Sequence, residues 1–245
     1  MYIRADKCVK DNTAIDPLKA LSIDYRKILS VDLKVLPVKD LMILRGLAST
    51  VKNVNQNLGL FSDLVQEKPI VPKLSRLHED HLVKMLIEAA SDCESTIDPT
   101  RKLRLDVDRD SFKVLSEYIV EADKVFLLKA VTNLLDNAVK YSFPKTIVRI
   151  YGGLMGKSSR FHITVINRGI KITEEESKIY CKKRGWRSDS AKSVTQQGSG
   201  IGLWIVDSIM KAHGGDLIVI PTTSESDTEV KLIMPVKRQI RQDTF

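Results

Sequence analysis

The sequence predicts an α+β protein in which an N-terminal helical hairpin is followed by an α/β sandwich. Two observations support this prediction. Apolar residues recur at steps of three and four from Val38 to Gln66 and again from Leu74 to Cys93, which is the period of amphipathic helices. After Asp98-Pro99, alternating strand-like runs are interspersed with two helical patterns, which is typical of a sheet with helices packed on it.

The composition is that of a globular chain. Of the 245 residues, 43% are hydrophobic, and no apolar run approaches the roughly 18 residues that span a bilayer. The three cysteines, Cys8, Cys93 and Cys181, are far apart, which argues against a disulfide framework and a thiolate metal site. The net charge of +8 comes from basic residues spread along the chain, so we expect no nucleic-acid partner. Because no apolar run is long enough to span a bilayer, we expect no membrane span and a cytoplasmic location.

Three regions follow from these patterns. Residues 1–36 show no clear period and predict no particular fold. Residues 37–98 predict the helical hairpin, and two helices with apolar seams bury too little surface alone. We therefore expect a homodimer in which two hairpins form a four-helix bundle. Residues 99–245 predict the α/β domain.

The predicted elements of the α/β domain follow in chain order. Strands are expected at residues 102–108, 118–120, 146–151, 160–167, 216–220 and 228–235. A helix is expected from Asp123 to Tyr141, with an apolar stripe at Leu127, Val131, Leu134 and Ala138 that Leu128, Leu135 and Val139 widen. Short links between the strands favour antiparallel neighbours.

A glycine-rich loop leads directly into the last helix. Gly198, Gly200 and Gly202 alternate with Ser199 and Ile201, and from Leu203 an apolar helical pattern runs to Gly214-Gly215. Such a loop lets the backbone pass close to a ligand, and the N–H groups at the helix start favour an anion. A tight turn accounts for the glycines equally well, so the interpretation needs partners elsewhere in the chain.

A polar row runs along the helix at Asp123–Tyr141. Lys129, Asn133, Asn137 and Lys140 share one face at steps of four, four and three. Amides on a largely buried helix need partners, and a metal-bound phosphate chain would supply them; a solvated helix face is the alternative. A basic loop with one tryptophan, made of Lys178, Lys182, Lys183, Arg184, Trp186 and Arg187, suits the same anionic ligand.

These motifs resemble those of the histidine kinase branch of the GHKL, or Bergerat-fold, ATPases. The run from Leu127 to Ser142 is similar to the N box of that family, and Ile166–Gly169 is similar to the G1 box. Residues 179–188 look like its lid segment, and Gly198–Leu203 like its G2 box. The four motifs follow in the family's order within residues 100–237. The resemblance therefore implies a Bergerat-fold sandwich that binds ATP and Mg²⁺.

The resemblance also implies roles for individual residues. Asn133 and Lys140 are the candidate catalytic residues, and Asn137 is the candidate Mg²⁺ ligand. The candidate ATP contacts are Asn137, Lys140, Tyr141, Asn167, Gly169, Arg184, Arg187, Gly198, Ser199, Gly200, Ile201, Gly202 and Leu203. Within this set Tyr141 lies beside the adenine, Lys140 contacts phosphate, and the two arginines reach the phosphate tail from a mobile lid at residues 173–197.

Three departures from the family pattern affect the expected chemistry. Asn133 stands where ATP-hydrolysing relatives carry a glutamate, and an amide cannot take a proton from water, so slow turnover is expected. Asn167 replaces the usual aspartate of the G1 box and Lys171 its later glycine, which predicts weaker adenine binding. Met42 occupies the position of the phosphoacceptor histidine, and a thioether cannot be phosphorylated like imidazole.

The hairpin region contains two histidines, His78 and His81. They predict a displaced phosphoacceptor, a two-histidine metal site, or polar residues at a helix start, of which the last is preferred.

The resemblance implies the catalytic part of a histidine kinase in two-component signal transduction, a protein-histidine kinase-type phosphotransferase. A response regulator or another protein would then be the phosphoacceptor. Two alternatives stay open. One is a non-catalytic ATP-sensing dimer, or pseudokinase. The other is a kinase that phosphorylates a partner protein in trans, as anti-sigma-factor kinases of related fold do.

Overall fold

The computed structural model describes residues 59–60, 62–156, 159–194, 199–221 and 227–239. The chain divides into two compact units, residues 1–63 and 64–245. Only residues 59, 60, 62 and 63 of the first unit are described, so the account below concerns the second. The predictions for residues 1–36 and for Met42 lie outside the described residues.

The second unit is built on a seven-stranded sheet. Its strands are β1 (Ser75–Leu77), β2 (Arg104–Val107), β3 (Tyr118–Ala122), β4 (Ile147–Leu154), β5 (Arg160–Arg168), β6 (Asp216–Ile220) and β7 (Asp227–Arg238). The order across the sheet is β1-β3-β7-β5-β4-β2, and β6 pairs with the first half of β7. The antiparallel prediction is confirmed for all pairs except β2 and β4, which run parallel because β3 and a helix intervene between them in the chain.

Three long helices pack on one face of this sheet. They are α1 (Glu79–Glu94), α2 (Lys124–Tyr141) and α4 (Gly202–Ala212); the short α3 (Asp189–Val194) precedes α4. Two 3₁₀ segments, Pro99–Arg101 and Asp110–Glu117, and a π-helical turn at Glu176–Tyr180 complete the unit. In the described part of the chain, no helix is both long enough and apolar enough to cross a membrane.

Helix α2 forms as its sequence predicts. Asp123 caps its start, because the Oδ1 atom accepts hydrogen bonds from the N–H groups of Val125 at 2.9 Å and Phe126 at 3.2 Å. The predicted stripe is buried, and each fully buried leucine or valine contributes roughly 1.5–3 kcal/mol to folding. Of the residues predicted to widen the stripe, Leu135 is buried, Val139 is half-buried and Leu128 is 37% exposed, so the apolar face is narrower than predicted.

The predicted second arm of the hairpin is corrected by the structure. Leu77 lies in strand β1, which pairs with β3, so the helical pattern does not extend back to Leu74. Helix α1 buries Leu82, Met85, Leu86, Ala89 and Cys93 and packs against α2 and β2. The α/β unit therefore begins before Asp98, and α1 belongs to it. Of the first predicted helix, residues 59–60 and 62–66 are described; all are helical except Gln66, which lies in a turn.

Candidate functional site

The start of α4 lies against the polar face of α2. A Cβ atom placed on Gly202 would lie 3.4 Å from Oδ1 of Asn133 and 3.6 Å from Nδ2 of Asn137. Asn133 is buried, and its Nδ2 donates a hydrogen bond to the Lys129 carbonyl at 2.9 Å, so its Oδ1 faces the start of α4. The structure thus brings the two predicted asparagines together with the glycine that begins the last helix.

A second group of predicted residues meets where α2 ends. Ser142 forms a bridge with Gly169, and the Ile170 N–H donates to the Tyr141 carbonyl at 3.2 Å. A Cβ atom on Gly169 would lie only 2.0 Å from that carbonyl oxygen and 2.9 Å from Nδ2 of Asn167. Asn167 is buried at the end of β5. Tyr141, Asn167 and Gly169, the predicted adenine-side residues, are therefore neighbours.

Two cations from different parts of the chain share one region of the site. Burial lowers the pKa of Lys140, and the nearby Arg187 guanidinium lowers it further, against the opposing effect of Asp136. Burial also lowers the pKa of Lys129, one turn before Asn133, to about 8. Like charges held together in a partly buried place repel, and an anion between them removes the repulsion. The electrostatics therefore favour binding of a negatively charged group here.

Two aromatic side chains of the predicted lid stack on each other. Its described residues end at 194 and contain the π-helical turn and α3. The rings of Tyr180 and Trp186 stack with centroids 5.7 Å apart, and Lys183 Nζ lies 4.8 Å from the Tyr180 ring centre. A cavity of about 360 Å³ opens beside this stack, between residues 176 and 192. Whether the lid moves with nucleotide stays a prediction.

The lysines of the predicted basic cluster serve the structure of the lid rather than forming one anion-binding patch. Lys178 pairs with Glu174, and Lys182 pairs with acidic groups on α4 and β6. Arg184 instead lies with its Cζ atom 6.0 Å from the ring centre of Trp204, in the first turn of α4. Arg184 and Arg187 are therefore the members of the cluster that the structure places toward the glycine loop and Lys140.

The glycine loop touches the lid directly. Gly200 has a φ of +69°, and a Cβ there would come within 2.6 Å of backbone atoms of Gly185 and Trp186. The Gly185 N–H also donates to the Gly200 carbonyl at 3.0 Å. Of the other predicted loop residues, Ser199 is exposed, Ile201 and Leu203 are half-buried at the helix start, and Gly198 lies outside the described residues.

Two residues with a structural role at the site were not predicted from the sequence. His213, at the end of α4, is buried; its Nδ1 donates to the Ile209 carbonyl at 2.7 Å and its Nε2 accepts from the Asp123 N–H at 3.0 Å. Asp207 is a buried carboxylate on α4. Its pairing with Lys211 at spacing i,i+4 was the one sequence signal that could have identified it.

His78 and His81 lie at the start of α1, with ring centroids 6.3 Å apart. His78 precedes the first residue of the helix, and its Nδ1 lies 3.3 Å from the side-chain amide of Gln239. This position fits the preferred interpretation of polar residues at a helix start.

Comparison with known proteins agrees with this geometry. Residues 122–238 match the family described as histidine kinase-, DNA gyrase B- and HSP90-like ATPases. The chain is 33% identical over 104 residues to sensor protein CzcS of Cupriavidus metallidurans, covering 42% of this chain and 21% of that protein. It is 28% identical over 203 residues to the signal transduction histidine-protein kinase/phosphatase MprB of Mycolicibacterium vanbaalenii, covering 82% and 39% respectively. The chain thus spans well under half the length of these relatives.

Solved structures show the same fold. A mycobacterial sensor histidine kinase MprB structure superposes with a TM-score of 0.52 at 21% identity, covering 69% of this chain and all of that one. The catalytic domain of histidine kinase ThkA gives 0.52 at 19% identity, with 66% and 95% coverage. Full-length ShkA in complex with AMPPNP gives 0.54 at 18% identity, covering 91% of this chain and 46% of that one.

Proposed function

We propose that this chain, whose residues 122–238 match the histidine kinase-, DNA gyrase B- and HSP90-like ATPases, binds Mg-ATP and donates its γ-phosphoryl group to a protein histidine in signal transduction. The observation that carries the proposal is the contact between Gly202 and the asparagines of α2. It joins a helix N-terminus, which favours phosphate, to two side-chain amides, and amide oxygens are ligands that suit Mg²⁺.

Each part of the site fits a polyphosphate with its metal. Mg²⁺ keeps several waters and takes few protein ligands alongside the phosphates, so a single amide oxygen from Asn137 is a sufficient protein contribution. The N–H groups at the start of α4 and the cations Lys140 and Arg187 would hold the phosphate oxygens. Tyr141 and Asn167 would lie along the adenine, with the Asn167 oxygen accepting from its amino group.

Bound Mg-ATP would supply the transferable phosphoryl group, and the residues of this chain would position it rather than activate water. Phosphoryl transfer depends mainly on positioning and on stabilising charge. Asn133, whose Nδ2 is bonded to the Lys129 carbonyl, cannot act as a general base. The site is therefore suited to hold ATP until an acceptor side chain arrives.

The acceptor and the assembly are further parts of the proposal. Relatives include sensor proteins, and a sensor kinase would pass the phosphoryl group to a response regulator or another protein partner. A homodimer would form through the helical hairpin, but residues 1–63 contain no histidine, so this segment would supply the dimer contact and not the acceptor. Met42 lies outside the described residues, so its place at the phosphoacceptor position stays a prediction.

Calorimetry of ATP binding with and without Mg²⁺ tests the site. We expect Mg²⁺ to tighten binding in the wild type, and Asn137→Ala to abolish that gain. Thr132→Ala is the matched control, because its hydroxyl bonds only the Leu128 carbonyl among the described hydrogen bonds and leaves the site unaltered. Absence of nucleotide binding in the wild type, or an unchanged Mg²⁺ effect in Asn137→Ala, would refute the assignment.

Incubation with γ-labelled ATP, with and without candidate response regulators, separates kinase activity from nucleotide sensing. Acid-labile label on the chain or on a regulator supports the kinase. Mg-ATP binding that leaves every protein unlabelled supports the non-catalytic sensing dimer, and acid-stable label on a partner supports a kinase that acts in trans on another residue type.

A further inference from the structure

A buried carboxylate links α4 to the lid. Asp207 is 5% exposed, and its Oδ2 lies 2.6 Å from Nζ of Lys211, one turn later on the same helix. Its Oδ1 lies 3.3 Å from Nζ of Lys182, which belongs to the lid and also pairs with Asp216 at 3.2 Å. Lys182 therefore holds the lid to both α4 and β6.

The two lysines are not equivalent partners of this carboxylate. Lys211 is mostly exposed and belongs to α4 itself, so its contact survives any movement of the lid. Lys182 is the partner on the Oδ1 side, where the contact is an ion pair without a well-directed hydrogen bond. Removing Lys182 leaves the buried Oδ1 atom of Asp207 without its ion-pair partner, which is costly even though Lys211 still pairs with Oδ2. Docking of the lid therefore completes the surroundings of Asp207.

The docked part of the lid lies directly on the glycine loop. We call residues 176–187 the lid base. Within it, Ser177 Oγ donates to the Val219 carbonyl at 3.0 Å, and the Gly185 N–H donates to the Gly200 carbonyl at 3.0 Å. Arg184 and Arg187 follow Lys182 by two and five residues. The ion pairs of Lys182 thus hold a point of the lid base that is close in sequence to both arginines.

We propose that Asp207 is a positioning residue that acts through Lys182 to hold the lid base against the glycine loop, so that Arg184 and Arg187 meet the phosphate tail of a bound nucleotide. This inference rests on the proposed function, and it adds the residues that set the preference for a long phosphate tail. Loss of the ion pair releases the lid base but leaves the adenine-side residues Tyr141 and Asn167 in place.

The test compares ATP with AMP, because only ATP carries the tail. In calorimetry with Mg²⁺, Lys182→Met is expected to weaken ATP binding about tenfold and AMP binding less than twofold, as for the loss of one charge-assisted contact. Lys182→Arg is expected to restore the ATP affinity, and the control Lys211→Met to keep the ATP-to-AMP ratio of the wild type.

Asp207→Asn keeps the volume of the side chain and removes its charge. Adding Asp207→Asn to Lys182→Met is expected to cause no further loss of ATP affinity, because the two residues act as one unit. Hydrogen exchange checks the same point without nucleotide: amides of residues 176–187 should exchange faster in Lys182→Met than in Lys211→Met. An unchanged ATP-to-AMP ratio in Lys182→Met overturns the inference, as does equal weakening of both nucleotides. A wild type that binds no ATP would instead refute the proposed function.

Discussion

Replacing Gly169 with alanine tests how tightly β5 is joined to the end of α2. The added Cβ would lie 2.0 Å from the Tyr141 carbonyl oxygen, whereas carbon and oxygen atoms in contact stay about 3.3 Å apart. The end of β5 and the end of α2 must therefore move apart by more than about 1 Å. That separation breaks the hydrogen bond from Ile170 to Tyr141 and strains the one from Phe143 to the Arg168 carbonyl, now 2.8 Å long.

The cost follows from these contacts. Two backbone hydrogen bonds contribute about 0.5–1.5 kcal/mol each, and overpacking adds about 1–3 kcal/mol, so Gly169→Ala should lower the unfolding free energy by about 2–6 kcal/mol. For a unit of this size that corresponds to a fall in Tm of roughly 5–20 °C. Nucleotide affinity should fall with it, because Tyr141 and Asn167 lie at this junction.

Tryptophan fluorescence is the appropriate assay for this variant. The protein has two tryptophans, Trp186 and Trp204, and both belong to residues 64–245, so the signal reports on that unit alone. Gly156→Ala is the control: its φ is +56° with no atom within 4 Å of the added Cβ, so only the left-handed backbone cost of about 1–2 kcal/mol applies. A Tm for Gly169→Ala equal to that of the control would show that the junction yields easily and refute the reasoning.

Three further predictions concern single side chains. Asn167→Asp should tighten ATP binding several-fold but leave GTP binding unchanged in calorimetry, because a carboxylate accepts the adenine amino proton more strongly than an amide. Burial raises the pKa of Cys93 and of Cys181 to about 12, so thiol reagents at pH 8 should label both only after unfolding, as peptide mass spectrometry would show. Burial lowers the pKa of Lys129 from 10.5 to about 8, so the charged side chain destabilises the folded state, and this effect is complete below pH 8. Lys129→Met should therefore stabilise the protein by ~1–3 kcal/mol at pH 7 in urea titrations, and that gain should vanish as the pH rises toward 10.5.

Elements with a strong local pattern were predicted well from the sequence. Strand β6 has the predicted bounds, Asp216–Ile220, and α2 differs from its prediction only in that Asp123 is its cap. Both have regular periodicity and clear end signals, a glycine pair before β6 and an aspartate before α2. The meeting of Asn137 with the glycine loop followed from the family resemblance, because helical periodicity alone gives no contact between segments this far apart in sequence.

Features that depend on distant parts of the chain were missed. Strand β1 has three residues, too few to show alternation, and its pairing with β3 is what makes Leu77 part of a strand rather than of the following helix. The partners of Lys182 come from α4 and β6, more than twenty residues away, so no local pattern distinguished this lysine from the rest of the basic cluster. The role of His213 likewise depends on Asp123, 90 residues earlier.

The two ends of α4 are both fixed to α2. Gly202 begins α4 beside Asn133 and Asn137. At the other end of α4, His213 accepts a hydrogen bond from the N–H of Asp123. Eleven residues span about 16 Å, close to the rise of α2 between Asp123 and Asn133. Inserting or deleting one residue would shift one end by about 1.5 Å and rotate it by about 100°, so one anchor would be lost. Helix α4 therefore acts as a spacer of fixed length, and variants that keep the site are expected to differ in the side chains of α4 but not in its number of residues.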